Sequence, residues 1–387
     1  MKIGIDIRVL QTPILRSGIG IYTYNLVKNL LQIKRDGIVF YAFKKVKKSV
    51  STVGGTIENG QDIRFDSFNP EVVGLPRHRR HNWFFQQFPR FKVKTDVFHI
   101  PMVFGPSREI VLPAFPPPNT VVTVHDLIPL HFDDAWSVYL RNTKDFRLQL
   151  RGIKRVKRII AVSKTTKDDL TRTLGVEDDK IEVIYGGVDT ELFKPLSDKR
   201  SLREYLEERF NIEGRFLLCV GTGANKNLSS VVESFCKLQE RGLQLVIVGN
   251  RENLAKDVVK VAASAKGIIF AEVVNASDLC ILYNCAELLL FVSIIEGFGL
   301  PVLEAFACGC PVLTSNTSAL PEVAGDAAIL VSPTDVEGIT ERTREILNDK
   351  ELRKSLTAKG LERAKKFTWQ RCAEETLKAY RKVTGSE

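Results

Sequence analysis

Two glutamates, Glu296 and Glu304, lie eight positions apart in the segment EGFGLPVLE. The apolar run before Glu296 is typical of a buried strand, and Pro301 is typical of the first turn of a helix. One carboxylate is therefore expected at the carboxyl end of a strand and the other one turn into the next helix. Carboxylates accept hydrogen bonds from vicinal hydroxyls, and free backbone N–H groups near a helix start bind anions. The segment predicts a site for a sugar joined to a phosphate, although for Glu304 alone a favourable interaction with the helix dipole is an equally simple reading.

A second candidate anion site follows the first strand, in the segment SGIGIYTY, where Gly18 and Gly20 precede an amphipathic pattern. Glycines allow close approach of the backbone, and a helix N-terminus offers N–H groups to a phosphate. The segment is equally consistent with a tight turn between strand and helix. It is also consistent with a dinucleotide fingerprint in which Thr23 replaces the third glycine.

The elements that must position these residues are short apolar strands alternating with segments of helical period. This alternation predicts buried parallel sheets and the α/β doubly wound class. The pattern weakens between residues 186 and 215, so we expect an N-terminal domain at 1–190 and a C-terminal domain at 191–387. Ligands of such sheets bind beyond the carboxyl ends of the strands, which predicts an active-site cleft between two facing domains.

Charge is distributed unevenly along the chain. Residues 1–190 carry 30 Lys and Arg against 19 Asp and Glu, a net charge of +11, whereas residues 191–387 carry 26 against 27, a net charge of −1. The stretch Arg77–Lys94, RHRRHNWFFQQFPRFKVK, adds aromatic side chains to this basic half. Such a composition suits an anionic membrane surface, and it also suits a helix with an apolar buried face and a solvated basic face. RNA-binding and zinc-binding patterns are absent, so no nucleic acid is expected as a partner.

The seven cysteines have apolar neighbours and no metal-site spacing, which predicts core thiols in a reducing compartment. No secretory signal opens the chain, and no apolar run reaches the length of a spanning helix. We expect a cytoplasmic protein, attached peripherally, if at all, to the inner face of the cytoplasmic membrane.

The segments EGFGLP, CGCPVL and SALPEV resemble the Glu-x7-Glu region of the retaining glycosyltransferases of family 4, which have the GT-B fold. The segments GIDIRVL, SGIGIYTYNL, VVTVHDLIPLHF and IIAVSKTTKDDL extend the resemblance over most of the chain. It implies two Rossmann-like domains, the second of which binds a nucleotide-sugar donor. It also implies that Glu296 contacts the donor hexose and that Glu304 contacts the nucleotide ribose.

The resemblance implies further site residues. Backbone groups of Gly297, Phe298 and Gly299 are expected to hold the sugar and diphosphate, with Gly18 and Gly20 completing the phosphate site. His125, which ends a strand, is expected to line the reaction centre, although a histidine there is often only a hydrogen-bonded core residue. Lys226 is expected to stabilise the leaving diphosphate as a point charge, although a solvated surface lysine is the simpler alternative. Many family members carry arginine immediately before this lysine, where this chain has Asn225.

The resemblance thus implies a retaining glycosyltransferase that needs no cofactor and, since no Asp-x-Asp motif is present, no metal ion. GDP-mannose is the first expectation for the donor and a UDP-hexose the second. The expected acceptor is a hydroxyl of a glycan or lipid-linked glycan. An NAD-dependent oxidoreductase and a basic nucleic-acid-binding protein are the alternatives, and neither is supported by a complete motif.

Overall fold

The computed structural model describes residues 1–34, 36–43, 56–57, 61–62, 71–75, 94–104, 112–254, 258–259, 265–272 and 274–385. The chain divides into two compact units, the first formed by Met1–Gly187 with Trp369–Glu387 and the second by Val188–Thr368. The division after Gly187 lies inside the boundary window of 186–215. The C-terminal segment belongs to the first unit, however, and not to the second domain that was expected to contain it.

A seven-stranded parallel sheet with the strand order β5-β2-β1-β6-β7-β8-β9 forms the centre of the first unit. The described strands of this unit, including the short antiparallel pair β3–β4, are β1 Ile3–Asp6, β2 Ile38–Phe43, β3 Thr56–Ile57, β4 Gln61–Asp62, β5 Glu71–Leu75, β6 Val97–Ile100, β7 Thr120–Val124, β8 Arg158–Ala161 and β9 Ile181–Val183. Every residue of β1, β6 and β7 is buried, as expected for a parallel sheet that is covered on both faces.

The described helices of this unit are α1 Gly18–Ile33, α2 Ile128–His131, α3 Ala135–Arg141, α4 Lys144–Arg155, α5 Lys164–Leu174 and, at the end of the chain, α13 Trp369–Thr384. The sequence pattern predicts a single helix over residues 137–156, which the structure instead divides into α3 and α4. The division occurs because Thr143 caps α4, its side chain accepting a hydrogen bond from the N–H of Phe146 at 3.2 Å.

Helix α13 packs on α1, which explains why the C-terminal segment belongs to the first unit. The hydroxyl of the fully buried Tyr380 lies 2.6 Å from Nδ1 of His99 in β6, and the ring of Trp369 lies 5.7 Å from that of Tyr22 in α1. The other ring nitrogen of His99 lies 2.9 Å from the hydroxyl of Thr123 in β7. A buried polar chain therefore joins the C-terminal helix to two strands of this sheet.

A six-stranded parallel sheet with the order β12-β11-β10-β13-β14-β15 forms the centre of the second unit. Its strands are β10 Arg215–Val220, β11 Leu243–Val248, β12 Ile268–Ala271, β13 Leu288–Phe291, β14 Val312–Ser315 and β15 Ile329–Val331. The chain runs outward from β10 to β12 and then returns to place β13 on the other side of β10. This reversal is a topological switch point, where sheets of this class bind ligands.

The described helices of the second unit are α6 Lys199–Phe210, α7 Leu228–Leu238, α8 Ala276–Cys285, α9 Leu300–Ala307, α10 Leu320–Ala324, α11 Val336–Asn348 and α12 Lys350–Ala364. Helix α6 lies in the stretch where the sequence pattern weakens. The pattern is weak because Leu206 is the only buried residue of α6, so the helix has almost no apolar stripe. Asp198 caps it by accepting a hydrogen bond from the N–H of Ser201 at 3.2 Å.

Candidate active site

The loops that follow β10 and β13 meet at the switch point and bring two sequence-predicted site residues into contact. Nζ of Lys226 lies 2.6 Å from Oε1 of Glu296. The amide of Asn225 donates to the same carboxylate oxygen at 3.2 Å and to the carbonyl of Ile295 at 3.1 Å. The ammonium and the carboxylate are 20% and 12% exposed, so both are largely desolvated but open to a ligand. Residues 70 positions apart therefore form one charged site.

The backbone of the β10 loop explains how Lys226 reaches this carboxylate. Gly221 has a φ of +99°, and a Cβ atom there would lie 2.8 Å from Cε of Lys226. A glycine is thus needed both for the turn and for the path of the lysine side chain. Asn227, which also has a positive φ, donates from its side chain to the carbonyls of Val292 and Pro333 at 3.1 and 2.6 Å. These hydrogen bonds fix the start of α7 against the segments that follow β13 and β15.

Two contacts that the sequence did not predict support the charged pair. The ammonium of Lys226 lies 4.7 Å from the centroid of the Phe291 ring, a distance suited to a cation–π interaction. The N–H of Glu296 donates to Oγ of Ser318 at 3.1 Å, and Ser318 itself has a φ of +55°. Ser318 lies in the SALPEV segment, so the motif indicated the region but not the contact.

The link between the two glutamates turns sharply into α9. Gly299 has a φ of +120°, and a Cβ atom there would lie 2.8 Å from Cδ2 of Leu320. Phe298 is buried, with its ring 6.0 Å from that of Phe367, whereas Gly297 is half-buried. The buried phenyl ring anchors the link, so its backbone N–H groups are held at the start of the helix.

Glu304 lies in the second turn of α9 and is 7% exposed. The hydroxyl of Tyr283 donates to its Oε2 at 3.0 Å. Burial raises the pKa of the Glu304 carboxyl from 4.5 to about 7, and the tyrosine hydrogen bond opposes that rise. A glutamate that merely complements a helix dipole is typically solvated, so the burial of Glu304 favours a binding role.

His125 follows β7 directly and is half-buried. Its Nε2 lies 2.9 Å from the carbonyl of Pro101, and the edge-to-face contact with the Tyr22 ring has a centroid separation of 4.8 Å. Burial lowers the pKa of the His125 imidazole to about 4, against the effect of the Pro101 carbonyl. The ring is therefore neutral at pH 7 and donates from Nε2, which leaves Nδ1 as the unprotonated nitrogen. Its role at a reaction centre stays a prediction.

Gly18 and Gly20 lie in the first turn of α1 and not in a loop before it. Two short 3-10 helices, Arg8–Gln11 and Pro13–Arg16, connect β1 to α1, so the alternative of a tight strand–helix turn is wrong. Gly18 is exposed at the helix N-terminus and Gly20 is buried. The location suits an anion at the helix start, and the contribution of these glycines to a phosphate site stays a prediction.

The structure describes all seven cysteines but almost none of the basic stretch. All seven cysteines are free thiols, and all but Cys236 are buried. The basic stretch 77–94 lies outside the described residues, apart from Lys94. Within the described part of the chain, no helix combines the length and apolar character needed to cross a membrane. The same residues contain no group of three or more His, Cys, Asp or Glu side chains arranged to hold a metal ion.

Comparisons with known proteins identify the family. The model described as Glycosyltransferase Family 4 matches residues 16–192, and the model described as Glycosyl transferases group 1 matches residues 203–363. An O-antigen chain mannosyltransferase B from Escherichia coli is 26% identical, over 98% of this chain and 100% of that protein. The protein belongs to the family 4 glycosyltransferases and is a glycosyltransferase enzyme.

Solved structures agree on the fold. A glycosyltransferase from Rickettsia africae has a TM-score of 0.72 at 18% identity, covering 100% of this chain and 99% of its own. The Anabaena protein HepE, solved in complex with UDP and glucose, has a TM-score of 0.71 at 14% identity, covering 98% and 99%. The expected GT-B class, with two Rossmann-like domains, is thereby confirmed.

Proposed function

We propose that the enzyme transfers a hexose from a nucleotide-diphosphate sugar to a hydroxyl of a glycan or lipid-linked glycan, with retention of the anomeric configuration and without a metal ion. The observation that carries the proposal is the Lys226–Glu296 contact at the switch point of the second unit. It combines a cation for a diphosphate with a carboxylate for sugar hydroxyls. Glu304 adds a second buried acceptor, which suits the vicinal hydroxyls of a ribose.

Each residue then has a role in the reaction. As the bond between the anomeric carbon and the diphosphate breaks, negative charge grows on the leaving oxygen, and Lys226 stabilises it together with loop N–H groups. Glu296 holds the hexose, whose anomeric carbon develops oxocarbenium character. The acceptor oxygen bonds to that carbon on the same face, and its proton passes to the departing phosphate. His125 is proposed to contact the hexose through its neutral ring.

Asn225 changes how the leaving charge is stabilised. Where many family members have a second cation, this chain has an amide that holds the carbonyl of Ile295 and the carboxylate of Glu296. We therefore propose that Asn225 positions Glu296. Of these two neighbouring side chains, Lys226 is the one that stabilises the charge of the leaving diphosphate. This arrangement makes the reaction depend strongly on one lysine.

Mannose is the proposed sugar because the full-length relative is a mannosyltransferase by name. GDP-mannose is accordingly the first candidate donor, with a UDP-hexose second. The nucleotide-sugar acts as a co-substrate, and no cofactor is proposed. The O-antigen role in that relative's name also supports a polysaccharide or lipid-linked acceptor.

An anionic membrane surface is the proposed partner of helix α4. Four exposed basic residues follow one face at helical spacing: Lys144, Arg147, Arg151 and Lys154. Among the described residues, none of the four is paired with a carboxylate, while Phe146 and Ile153 are buried on the opposite face. Near the C-terminal end of α4, the guanidinium of Arg155 lies 4.2 Å from the centroid of Phe115, which is 58% exposed. A basic face beside an exposed aromatic ring suits peripheral attachment to the inner face of the cytoplasmic membrane.

The proposal is tested with a panel of GDP-mannose, UDP-glucose and ADP-glucose, with NAD as the control for the oxidoreductase alternative. Thermal shifts identify the nucleotide, and release of nucleoside diphosphate in the presence of bacterial lipid extract measures transfer. We expect one sugar nucleotide to be turned over and NAD to have no effect. Stabilisation by NAD alone would contradict the proposal.

The matched variants Glu296→Gln and Glu322→Gln locate the chemistry. Glu296→Gln should lower kcat and leave binding of the free nucleotide diphosphate intact, because this carboxylate is assigned to the hexose. Glu322→Gln, in the first turn of α10, should retain the wild-type rate. Loss of nucleotide binding in Glu296→Gln would instead place that carboxylate at the nucleotide.

A further inference from the structure

Among the described residues, Tyr283 makes the only side-chain hydrogen bond to the Glu304 carboxylate, with its hydroxyl 3.0 Å from Oε2. It lies in α8 and is 1% exposed, with its ring 6.1 Å from that of Phe193. A carboxylate has two oxygens that accept hydrogen bonds, and a donor on one of them fixes the orientation of the other. The tyrosine therefore determines where Oε1 of Glu304 points.

Helix α8 does not depend on this hydrogen bond for its own position. At its N-terminus, Asn275 and Asp278 form a capping box, and the Asp278 carboxylate accepts from the hydroxyl of Tyr205 at 2.5 Å and from Arg209 at 2.9 Å. At its C-terminus, the amide of Asn284 donates to the carbonyl of Lys194 at 2.9 Å. Because both ends of the helix are anchored, removal of the Tyr283 hydroxyl should act on Glu304 and leave the backbone in place.

We propose that Tyr283 is a positioning residue that orients the Glu304 carboxylate for the two ribose hydroxyls of the donor. The inference rests on the proposed function, in which Glu304 holds the ribose. It adds a residue that touches no substrate and acts through a single buried hydrogen bond. Because the ionised form of Glu304 is the better acceptor for the ribose hydroxyls, donor binding should also depend on pH in the neutral range.

The pH dependence follows from the surroundings of Glu304. Burial raises the pKa of its carboxyl to about 7, and the Tyr283 hydroxyl acts in the opposite direction by donating to the ionised form. Tyr283→Phe removes that donor, so the Glu304 pKa should rise further. A hydrogen bond to a charged group corresponds to a shift of about one pH unit or more.

The two thiols that follow α9 do not titrate in the same range as Glu304. The thiols of Cys308 and Cys310 have raised pKa values, that of Cys310 reaching about 12 because of burial, so both stay neutral. In α12, which packs on α9, Arg363 donates to the carbonyls of Glu322 and Val323.

Two further titratable side chains near α9 are Lys359, which forms an ion pair, and Cys280, whose pKa is lowered. Lys359 of α12 pairs with Asp326 at 3.2 Å. In α8, the Cys280 thiol lies 3.9 Å from that of Cys308, and this contact lowers the pKa of Cys280 to about 6. Cys280→Ala therefore serves as a control, because it removes a neighbouring thiol whose titration overlaps with that of Glu304.

The test measures binding of GDP and UDP, each beside its 2′,3′-dideoxy analogue, by calorimetry between pH 6 and pH 9. The ratio of the dissociation constants of a nucleotide and its dideoxy analogue measures the contribution of the ribose hydroxyls. Titration of the diphosphate affects both ligands equally and therefore cancels in this ratio. In the wild type and in Cys280→Ala, the preference for the hydroxylated nucleotide should rise with pH, with a midpoint near 7. In Tyr283→Phe the midpoint should move up by about one unit, which lowers the preference at pH 7 about fivefold as the ionised fraction falls from about a half to about a tenth.

Tyr205→Phe is the matched control, since it removes a tyrosine–carboxylate hydrogen bond at the other end of α8 and should leave the midpoint unchanged. Replacement of Tyr283 by 3-fluorotyrosine, a stronger donor with the same shape, should move the midpoint down. An unchanged midpoint in Tyr283→Phe or in the fluorotyrosine protein, with nucleotide still bound, overturns the role of Tyr283 and leaves the proposed function standing. A wild-type enzyme that binds neither nucleotide, or that shows no preference for the hydroxyls at any pH, overturns the proposed function itself.

Discussion

Replacement of Glu304 by glutamine should stabilise the second unit at neutral and alkaline pH while it impairs nucleotide binding. The folded protein must desolvate the Glu304 carboxylate, and burial raises its pKa from 4.5 to about 7. Between these two values the folded state holds a proton that the unfolded state has released. Stability therefore falls as the pH rises through this window and levels off above it. Glutamine keeps an oxygen for the Tyr283 hydroxyl but has no charge to bury.

The size of the effect follows from the pKa change. A rise from 4.5 to about 7 corresponds to about 3 kcal/mol at pH 8 and to almost nothing at pH 4. The free energy of unfolding of Glu304→Gln, relative to that of the wild type, should thus increase by about 3 kcal/mol from pH 4 to pH 8. Glu322→Gln, a half-buried glutamate in the first turn of α10, should change stability by less than about 0.5 kcal/mol at either pH.

Hydrogen exchange of the amides of β13 and β14, two interior strands of the second sheet, measures this difference at pH 4 and pH 8. Tryptophan fluorescence provides an internal control, because all three tryptophans lie outside residues 188–368. A difference between Glu304→Gln and the wild type that is the same at both pH values would refute the reasoning. It would mean that the Glu304 carboxylate is solvated in the folded state.

Three further predictions concern catalysis and membrane binding. Lys226→Ala should lower kcat by roughly 10²–10³-fold, by analogy with the loss of one oxyanion donor. Lys237→Ala, which removes a surface lysine that pairs with Glu337, should leave kcat unchanged, and nucleotide release assays compare the two variants. His125→Ala should lower kcat without weakening nucleotide binding, and a wild-type kcat in this variant would make His125 a structural residue. Because the pKa of His125 is lowered to about 4, the pH profile of the wild type should show no His125 inflection between pH 5.5 and 8. The double variant Arg147→Glu/Arg151→Glu should cosediment less with anionic vesicles at low salt, because each basic residue contributes about 1 kcal/mol to binding. Equal binding of the wild type and the double variant would mean that the basic face of α4 is only solvated.

The main elements of the donor site were predictable because they depend on strand ends. The apolar runs identified β10 and β13, and a parallel α/β sheet brings the loops after neighbouring strands together at its switch point. The contact between Lys226 and Glu296 follows from that rule and from the glycine at position 221. The family resemblance predicted the roles of Lys226 and Glu296, and the order of the strands in the sheet explains why the two side chains lie close together.

Other features were not predictable because they depend on tertiary packing. Nothing in the sequence of α8 indicates that the Tyr283 hydroxyl meets a carboxylate in α9. The amphipathic pattern of α13 predicts a buried face but does not specify the sheet on which the helix packs. Its position on the first unit depends on partners of Trp369 and Tyr380 that are distant in sequence. Helix α6 was missed for the opposite reason, since it buries too little to leave a periodic pattern.

The most direct test of the central claim is a calorimetric titration of GDP and UDP into the wild type, Glu304→Ala and Glu322→Ala. If the second unit holds a nucleotide-sugar through a buried ribose acceptor, the wild type should bind one of the two nucleotides. Glu304→Ala should then weaken that binding at least about tenfold, which corresponds to about 1.4 kcal/mol, while Glu322→Ala stays within a factor of about two. Equal affinities for all three proteins, or no binding to the wild type, would contradict the assignment of this site to a nucleotide-sugar donor.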